Sequence, residues 1–446
     1  MPDSGAFRPL GLPPVSPAPR SAYLHIPFCH RRCFYCDFPV VPLGDRAGAT
    51  RGQPGAQAIA AYLELLEAEI RASPGGPPLS TVYVGGGTPS LLDPAQVRRL
   101  LGALRRRFGI APGAEISLEL DPASFDRERL AAYLATGVNR VSLGGQSFDD
   151  GVLERLGRRH RRADLLEAAL WLAEARGQGR LVSWNLDLIQ AVPGQGQGQW
   201  QSQLEQAIAL APPHLSVYDL TIEPGTVFAR WQQQGQLDLP EAELAADLME
   251  LTQVELSRGG YGHYEISNYA LPGHACRHNR VYWSGAGWWG FGMGATAAPW
   301  GVREARPRTR EAYRQWLEER LAASGPPERT MVTSPSSPAG LPLDERLLVG
   351  LRRREGVHLP GLLAQQGLEP AAVRRLHGQL ERRLQRFRQG GLLLVEGPRW
   401  RLSDPAGLAL SNVVLRSLLA WWEDVAPQSN GAGPQPPVGD PAAAAD

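Results

Sequence analysis

Residues 23–36 read Tyr23-Leu24-His25-Ile26-Pro27-Phe28-Cys29-His30-Arg31-Arg32-Cys33-Phe34-Tyr35-Cys36 and contain three of the four cysteines of the chain. The cysteines follow a C-x3-C-x2-C spacing. Three thiolates at this spacing can ligate three irons of a [4Fe–4S] cluster and leave the fourth iron open to a ligand from outside the protein. Structural zinc is the alternative, because zinc normally takes four protein ligands and His25 or His30 would supply the fourth. The spacing alone leaves both metals open.

Short β-rich segments alternate with amphipathic helical segments from about Ser21 to Ser257. The strand candidates are Ala22–Ile26, Thr81–Val84, Ile116–Leu120, Arg140–Leu143, Val182–Ile189 and Leu215–Leu220. Alternation of this kind predicts βα units around a parallel sheet. About six units predict an α/β fold built on an open or partial (β/α)6 barrel, in which the chemistry lies at the carboxyl ends of the strands.

Composition limits the kinds of partner that the chain can bind. Its 446 residues include 46 basic and 45 acidic ones, so its net charge of +1 provides no global field for binding nucleic acid or an anionic membrane. Every Lys or Arg position is arginine, which excludes Schiff-base lysine chemistry and the P-loop lysine. No apolar run is long enough to span a bilayer and no secretory signal pattern is present. We therefore expect a cytoplasmic protein that binds no nucleic acid and has no membrane span.

The same reasoning divides the chain into segments. The predicted order is a disordered start at 1–20, a barrel core at 21–258, a barrel-flanking segment at 259–323, a linker at 324–340, a C-terminal domain at 341–425 and a disordered tail at 426–446. Helices followed by an apparent hairpin at Gly391–Leu402 predict that the C-terminal domain is small, helical and winged-helix-like. Its arginine clusters are interleaved with acidic residues, which favours solvated helix faces over a DNA-binding surface.

Polar motifs follow the strand candidates in order. They are Val84-Gly85-Gly86-Gly87-Thr88-Pro89-Ser90, Glu119 in Leu-Glu-Leu-Asp-Pro, Gln146 in Ser-Leu-Gly-Gly-Gln-Ser-Phe, Arg158 in Leu-Gly-Arg-Arg-His and Asp187 in Asn-Leu-Asp-Leu-Ile. Each motif taken singly is as typical of a turn, a cap or a surface residue as of a site. Their joint order after the cysteine segment favours a common site at the strand ends.

The cysteine spacing and these motifs together resemble the radical SAM superfamily. That resemblance implies a [4Fe–4S] cluster held by Cys29, Cys33 and Cys36, with S-adenosylmethionine on the open iron. It also implies that the residues contacting S-adenosylmethionine are Tyr23, Tyr35, Gly86, Gly87, Thr88, Glu119, Gln146, Arg158 and Asp187. The assignment suits the cofactor, because Glu119 and Arg158 match its amino and carboxylate groups and Gln146 and Asp187 match its ribose hydroxyls. Tyr35 would lie near the adenine.

Further motifs resemble the coproporphyrinogen III dehydrogenase-like branch of that superfamily. They include Leu220-Thr221-Ile222-Glu223-Pro224-Gly225-Thr226 and Tyr264-Glu265-Ile266-Ser267-Asn268-Tyr269-Ala270. This branch contains oxygen-independent dehydrogenases, which decarboxylate propionate side chains, and heme chaperones. The dehydrogenases have a fourth cysteine two positions after the third, whereas this chain has Phe38 there, as the chaperones do. The resemblance favours a chaperone that passes heme to apo-hemoproteins of an electron-transfer chain, with transient contact to membrane-bound acceptors possible, and leaves the dehydrogenase as the alternative.

His278-Asn279-Arg280-Val281-Tyr282-Trp283 matches an H-N-x-x-Y-W pattern that is associated with heme in those chaperones. The resemblance implies that His278, Tyr282 and Trp283 bind heme, since an imidazole can ligate the iron and aromatic rings can cover a porphyrin face. An ordinary hydrogen-bonded histidine beside core aromatics is an equally good interpretation of these residues. Cys276 is a second candidate ligand and ranks below His278, because a lone cysteine is usually a small buried apolar residue.

Overall fold

The computed structural model describes residues 18–44, 54–323, 341–365 and 370–425. The strands are β1 Ser21–Ile26, β2 Phe28–Cys29, β3 Val41–Pro42, β4 Leu79–Gly86, β5 Ile110–Leu120, β6 Arg140–Gln146, β7 Ser183–Gln190, β8 His214–Asp219, β9 Gly262–Glu265, β10 Asn268–Ala270, β11 Trp289–Phe291, β12 Thr296–Ala297, β13 Glu304–Ala305, β14 Val357–His358, β15 Leu393–Glu396 and β16 Arg399–Leu402. The helices are α1 Pro54–Ala72, α2 Pro94–Arg107, α3 Arg127–Leu134, α4 Asp150–Arg155, α5 Arg162–Gly177, α6 Gln197–Ala209, α7 Val227–Gln233, α8 Ala242–Arg258, α9 Arg277–Ser284, α10 Arg310–Ala323, α11 Leu343–Leu351, α12 Leu359–Ala364, α13 Pro370–Gln389, α14 Ala406–Ala409 and α15 Ser411–Val425.

One large sheet has the strand order β11-β1-β4-β5-β6-β7-β8-β10-β9. Neighbouring strands are parallel from β11 through to β8, whereas β10 and β9 are antiparallel additions at the far edge. Parallel neighbours need crossover connections, and helices α1 to α6 provide them. The six central strands β1, β4, β5, β6, β7 and β8 confirm the predicted partial (β/α)6 barrel.

Alternation along the strands separates an apolar layer from a polar one. Leu24, Val84 and Leu118 are fully or almost fully buried members of the main core, which the apolar face of α1 also joins through Leu63. Their neighbours along the strands point to the opposite side of the sheet, because successive strand residues alternate. The barrel interior is consequently lined by polar and aromatic side chains, and it is there that the site lies.

The C-terminal segment follows the order α11-β14-α12-α13-β15-β16, with a three-stranded sheet in the order β14-β16-β15. Its helices and hairpin enclose a second core that includes Leu347, Leu384 and Trp400. This arrangement confirms the predicted winged-helix-like fold. It contacts the barrel at its antiparallel edge, where His263 Nδ1 lies 2.9 Å from Asp404 Oδ2 and Met249 of α8 packs into the second core.

Several predicted segments lie outside the described residues: positions 1–17 of the predicted disordered start, the linker 324–340 and the tail 426–446. Within the part of the chain that is described, each helix is too short or too polar to cross a lipid bilayer.

Candidate functional site

The cysteine loop runs from β2 to β3 at the carboxyl end of β1. Cys29 is buried at the end of β2, whereas Cys33 and Cys36 are half-buried in the loop. Burial raises the pKa of the Cys29 thiol to about 12. Phe34 anchors the loop, because its backbone N–H donates to the Leu156 carbonyl at 3.0 Å and its carbonyl accepts from the Phe228 N–H. The backbone of the loop is therefore anchored at Phe34, to the end of α4 and to α7.

Arg158 lies beside this loop. Its Nη1 is 3.6 Å from Cys33 Sγ, and its Nη2 donates to Asp121 Oδ2 at 2.6 Å and to the Gly144 carbonyl at 3.1 Å. Its Nε is buried without a hydrogen-bond partner. Arg158 therefore places a positive charge beside Cys33, and its Nε remains available as a hydrogen-bond donor.

The glycine segment at the end of β4 passes directly beneath the cysteine loop. A Cβ atom built on Gly87 would lie 2.8 Å from Cys29 Sγ and 2.7 Å from the Phe28 carbonyl oxygen. Gly86 has φ of +123°, a backbone conformation that L side chains rarely adopt. Its N–H donates to Glu119 Oε2 at 2.9 Å, and the N–H of Thr88 donates to the Phe28 carbonyl. Only glycine fits where this backbone meets the loop.

Glu119 and Asp187 lie on neighbouring levels of the barrel interior. Register places Glu119 opposite Ser142, and Ser142 opposite Asn185, two residues before Asp187. Asp187 accepts from Asn185 Nδ2 at 2.6 Å and from Ser142 Oγ at 3.2 Å. Burial, with the nearby Asp187 charge, raises the pKa of Glu119 to about 7. Burial also raises the pKa of Asp187.

Gln146 ends β6 with a φ of +57°, in the left-handed region that non-glycine residues rarely occupy. Its Oε1 is buried and has no hydrogen-bond partner. Strained backbone with an unused acceptor is typical of residues held ready for a ligand. On the two flanks of the site, Tyr23 OH lies 2.9 Å from His25 Nδ1 and Tyr35 packs with Leu156 in an apolar cluster under the loop.

Six of the predicted S-adenosylmethionine residues thus lie in or just beyond the carboxyl-terminal halves of β4, β5, β6 and β7: Gly86, Gly87, Thr88, Glu119, Gln146 and Asp187. Arg158 lies beside the cysteine loop, Tyr35 lies within that loop, and Tyr23 lies in the middle of β1, opposite Tyr83. The donor set fits the implied groups: three thiols for irons, Arg158 Nε as an unused donor for a carboxylate, Gln146 Oε1 as an unused acceptor, and two buried carboxyls for amino or hydroxyl groups. Each of the two histidines that could supply the fourth zinc ligand has another partner. His25 Nε2 lies 3.1 Å from the Pro39 carbonyl oxygen and His30 Nδ1 lies 3.4 Å from that of Gly44.

The three predicted heme residues lie elsewhere, on α9, which packs at the amino-terminal end of β4 and β5. His278 is buried, with Nδ1 2.8 Å from Thr81 Oγ1 and Nε2 2.8 Å from Tyr282 OH. Its ring stacks on Tyr83 with centroids 5.3 Å apart, and burial lowers its pKa to about 3. Trp283 is half-buried. Both nitrogens of the His278 ring are therefore engaged inside the protein.

Three residues that sequence reasoning did not single out organise these sites. Asp121 holds Arg158, Thr81 holds His278, and Glu115 accepts the N–H groups of Arg277 and His278 at the start of α9, at 3.1 and 3.0 Å. Asp121 follows Glu119 in the quoted Leu-Glu-Leu-Asp-Pro motif, so its position was visible in the sequence. The roles of Thr81 and Glu115 depend on long-range packing that no local pattern signals.

Comparisons with known proteins place the chain in a family. A profile of the radical SAM superfamily matches residues 23–199. The heme chaperone HemW of Synechocystis is 40% identical over 416 residues, which cover 91% of this chain and 98% of the relative. The chain belongs to the HemW family of radical SAM proteins. A second relative is the bovine mitochondrial radical S-adenosyl methionine domain-containing protein 1. It is 34% identical over 433 residues, which cover 93% of this chain and 92% of the relative.

Solved structures support the fold of this HemW-family chain. Coproporphyrinogen III oxidase HemN from Escherichia coli, described as a radical SAM enzyme, matches with a TM-score of 0.70 over 90% of both chains. Sequence identity in that match is 24%, so the likeness concerns the architecture alone. Both the barrel and the C-terminal domain fall within so extensive a match.

Proposed function

We propose that this chain is a heme chaperone that carries a [4Fe–4S] cluster and S-adenosylmethionine and delivers heme to apo-hemoproteins. The observation that carries the proposal is the match to a heme chaperone HemW over 98% of that relative's length at 40% identity. Phe38 adds to it, because it stands at the position where a fourth cysteine would mark the dehydrogenases. The acceptors would belong to an electron-transfer chain, and the protein would work in the cytoplasm.

Cys29, Cys33 and Cys36 would hold the cluster. When bound, such a cluster supplies one iron without a protein ligand, which the amino acid end of S-adenosylmethionine can occupy. Arg158 would add positive charge near Cys33 and offer its free Nε to the cofactor's carboxylate. Tyr35 would pack beneath the loop, on its apolar side.

The same cofactor would lie across the glycine segment and the polar interior. Gly86, Gly87 and Thr88 would form its backbone cradle, with Tyr23 on the neighbouring strand β1. Glu119 would take its amino group. Gln146 and Asp187 would contact the ribose hydroxyls, since their side chains face the same interior.

Heme would be held by the α9 motif, with His278 as the axial ligand and Tyr282 and Trp283 against the porphyrin. Since Nε2 of His278 is paired with Tyr282 and Nδ1 with Thr81, ligation requires the ring to leave at least one of these partners. Burial keeps the imidazole neutral, which is the form that binds iron. Cys276 is the weaker candidate, because burial raises the pKa of its thiol to about 12 and its Sγ donates to Glu115 Oε1 at 3.4 Å, whereas the thiolate is the form that binds iron.

Anaerobic reconstitution with iron and sulfide tests the cluster assignment. We expect about four irons and four sulfides per chain, and a change in the spectrum of the reduced cluster when S-adenosylmethionine is added. Cys33→Ala should lose the cluster while the barrel stays folded, because the loop lies outside the main core. Cys276→Ser is the matched control and should keep its iron. Stoichiometric zinc without labile sulfide would refute the cluster.

Paired assays on the reconstituted protein separate the two candidate functions. The chaperone proposal expects heme binding, heme transfer to an apo-hemoprotein, and no decarboxylation of coproporphyrinogen III with reductant and S-adenosylmethionine. Robust formation of protoporphyrinogen would establish the dehydrogenase instead, whatever the outcome of the heme measurements.

A further inference from the structure

A polar cavity of about 50 Å³ lies inside the barrel, next to the level that holds Glu119. Its walls come from β4, β5, β6, β7 and β8 and from the start of α9. The three proposed cluster ligands and His278 do not line it, whereas Cys276, the weaker candidate heme ligand, does. Its polar lining includes Ser117, Arg140, Ser142, Asn185, His214 and Asn279.

Register explains why these side chains meet. Ser117 of β5 lies opposite Arg140 of β6, and the next inward-facing pair along the same strands is Glu119 opposite Ser142. Residues two apart on a strand share a face, so Ser117 and Arg140 form the level directly below Glu119 and Ser142. Because Ser142 also lines the cavity, the cavity reaches from the Glu119 level to the level below it, on the amino-terminal side of the proposed cofactor site.

Two hydrogen-bonding groups in this cavity have no partner. Arg140 is 5% exposed and Ser117 is 1% exposed, yet Arg140 Nη2 and Ser117 Oγ are both buried without a hydrogen bond. Arg140 is held in place by its other nitrogen, because Nη1 donates to the His274 carbonyl at 3.0 Å. Buried donors without partners are costly, and a cationic donor is the most costly kind. A bound ligand that accepts hydrogen bonds from Arg140 Nη2 and Ser117 Oγ would remove this cost.

The carboxylates near Arg140 do not fully neutralise its charge, so Arg140 presents a cation to the cavity. Glu115 Oε2 is 3.9 Å from Arg140 Nη1, but Glu115 also accepts the first N–H groups of α9. Asp187 is engaged by Ser142 and Asn185 on the level above. The neighbouring carboxylates thus have donors of their own.

The remaining polar lining is neutral. Nδ1 of His214 lies 2.6 Å from Asn185 Oδ1 and its Nε2 lies 2.8 Å from Tyr264 OH. Burial lowers the pKa of His214 well below its usual range, so the ring carries no charge. The other hydroxyls of the lining have partners, because Ser216 donates to Asn268 Oδ1 at 2.6 Å, Tyr83 bonds Glu119 and Tyr218 bonds Ser216. A ligand in the cavity would therefore meet one guanidinium and the free hydroxyl of Ser117.

We propose that this cavity is a binding site for a carboxylate group. A guanidinium beside a hydroxyl donor matches the two oxygens of a carboxylate, which arginine pairs with in a planar geometry. The space admits a carboxylate on a short carbon chain and excludes a porphyrin ring. The carboxylate is carried either by a small free acid or by the side arm of a larger ligand. Binding at this site does not depend on the proposed heme delivery.

Acetate is the probe for the site. Titration of the full chain with ¹³C-acetate at constant chloride, followed by NMR line broadening, should show saturable binding of one acetate per chain. Arg140→Gln should abolish it, and Ser117→Ala should weaken it about tenfold through loss of one hydrogen bond. Arg98→Gln removes an exposed arginine on α2 and should bind as the wild type does. If Arg140→Gln does not fold, the Ser117→Ala variant carries the test.

Heme and its dimethyl ester separate the two sources of the carboxylate. Where a propionate arm occupies the cavity, Ser117→Ala and Arg140→Gln weaken binding of heme but not of the ester. Where the ligand is a free acid, both variants lose acetate and bind heme normally. Absence of saturable acetate binding to the wild type, or unchanged binding by both variants, overturns the proposal. Failure of heme binding with intact acetate binding contradicts only the proposed chaperone function.

Discussion

Glu119 connects the glycine segment with the polar barrel interior, since it accepts the Gly86 N–H and faces Ser142. If it binds the amino group of S-adenosylmethionine, Glu119→Ala removes a charge-assisted hydrogen bond in a partly enclosed site. The cost should be about 1.5–3 kcal/mol, or roughly tenfold to a hundredfold in affinity. Calorimetric titration of the cluster-loaded variant measures it.

The control for that experiment is Glu128→Ala, which removes an exposed glutamate on α3. Iron content should be the same in both variants, because Glu119 does not contact the cysteines. Unchanged cofactor affinity in a folded, cluster-loaded Glu119→Ala protein would show that this position is not part of the cofactor site.

The raised pKa of Glu119 predicts a pH-dependent penalty in the cofactor-free protein. Burial moves this pKa from 4.5 to about 7, so the folded chain binds the proton more tightly than the unfolded chain does. Ionisation of Glu119 therefore lowers the free energy of unfolding as pH rises from 4.5 towards 7, by up to about 3 kcal/mol. Glu119→Gln should raise Tm at pH 8, and the gain should disappear near pH 4.5. A gain that is constant across this range, or no gain beyond that of Glu128→Gln, would contradict the ionisation argument.

At the scale of elements, α9 holds the proposed heme ligand inside the protein. Thr81→Val keeps the shape of the side chain but removes the hydroxyl that pairs with His278 Nδ1. If His278 must leave its partners to ligate iron, this variant should bind heme about fivefold to tenfold more tightly, the value of roughly one hydrogen bond. Absorption titration with heme measures the change.

His278→Ala is the companion variant. It should shift the heme spectrum and speed heme loss, with some binding retained by the aromatic contacts, whereas Cys276→Ser should have a smaller effect. Spectra and affinities identical to wild type in both Thr81→Val and His278→Ala would exclude His278 as the axial ligand.

The sequence predicted the elements that depend on local patterns. Every predicted strand from Ala22–Ile26 to Leu215–Leu220 overlaps an observed one, because βα units carry strong periodicity over many residues. Strand β11 was not predicted. Its three residues, Trp289–Phe291, pair with β1 across most of the chain, and so short a segment among glycines has no strand period of its own.

Some residues of the candidate site could be predicted from sequence motifs, and others could not. Its cysteines and strand-end polar residues were visible as motifs, and the structure gathers the latter at one end of the barrel. The Arg140 and Ser117 pair was invisible, because it exists only through the register of β5 against β6 and through the missing partners of two buried atoms. Contacts of this kind arise from tertiary packing, which local sequence does not encode.

At the scale of the whole molecule, the two largest apolar cores of the described residues lie next to different proposed sites. The cluster loop and the proposed S-adenosylmethionine residues all lie between Tyr23 and Asp187, on the barrel strands and the segments that connect them. The second core is built from the elements α11 through α15 together with Met249 of α8. Helix α9 contacts the C-terminal domain through the ion pair of Arg280 with Glu355. The cofactor site should therefore tolerate damage to the C-terminal domain better than the heme motif does.

Leu384→Ala tests this division. Leu384 is 1% exposed in the second core, and truncation of such a leucine costs about 2–5 kcal/mol. We expect calorimetry to show a lower unfolding temperature for the C-terminal domain. Heme binding should weaken, because α9 packs against a less stable domain. Iron content and S-adenosylmethionine affinity should stay unchanged. Arg382→Ala, at an exposed position of the same helix, should change none of these. Loss of iron from folded Leu384→Ala protein would mean that the two cores depend on each other and that the site is a property of the whole chain.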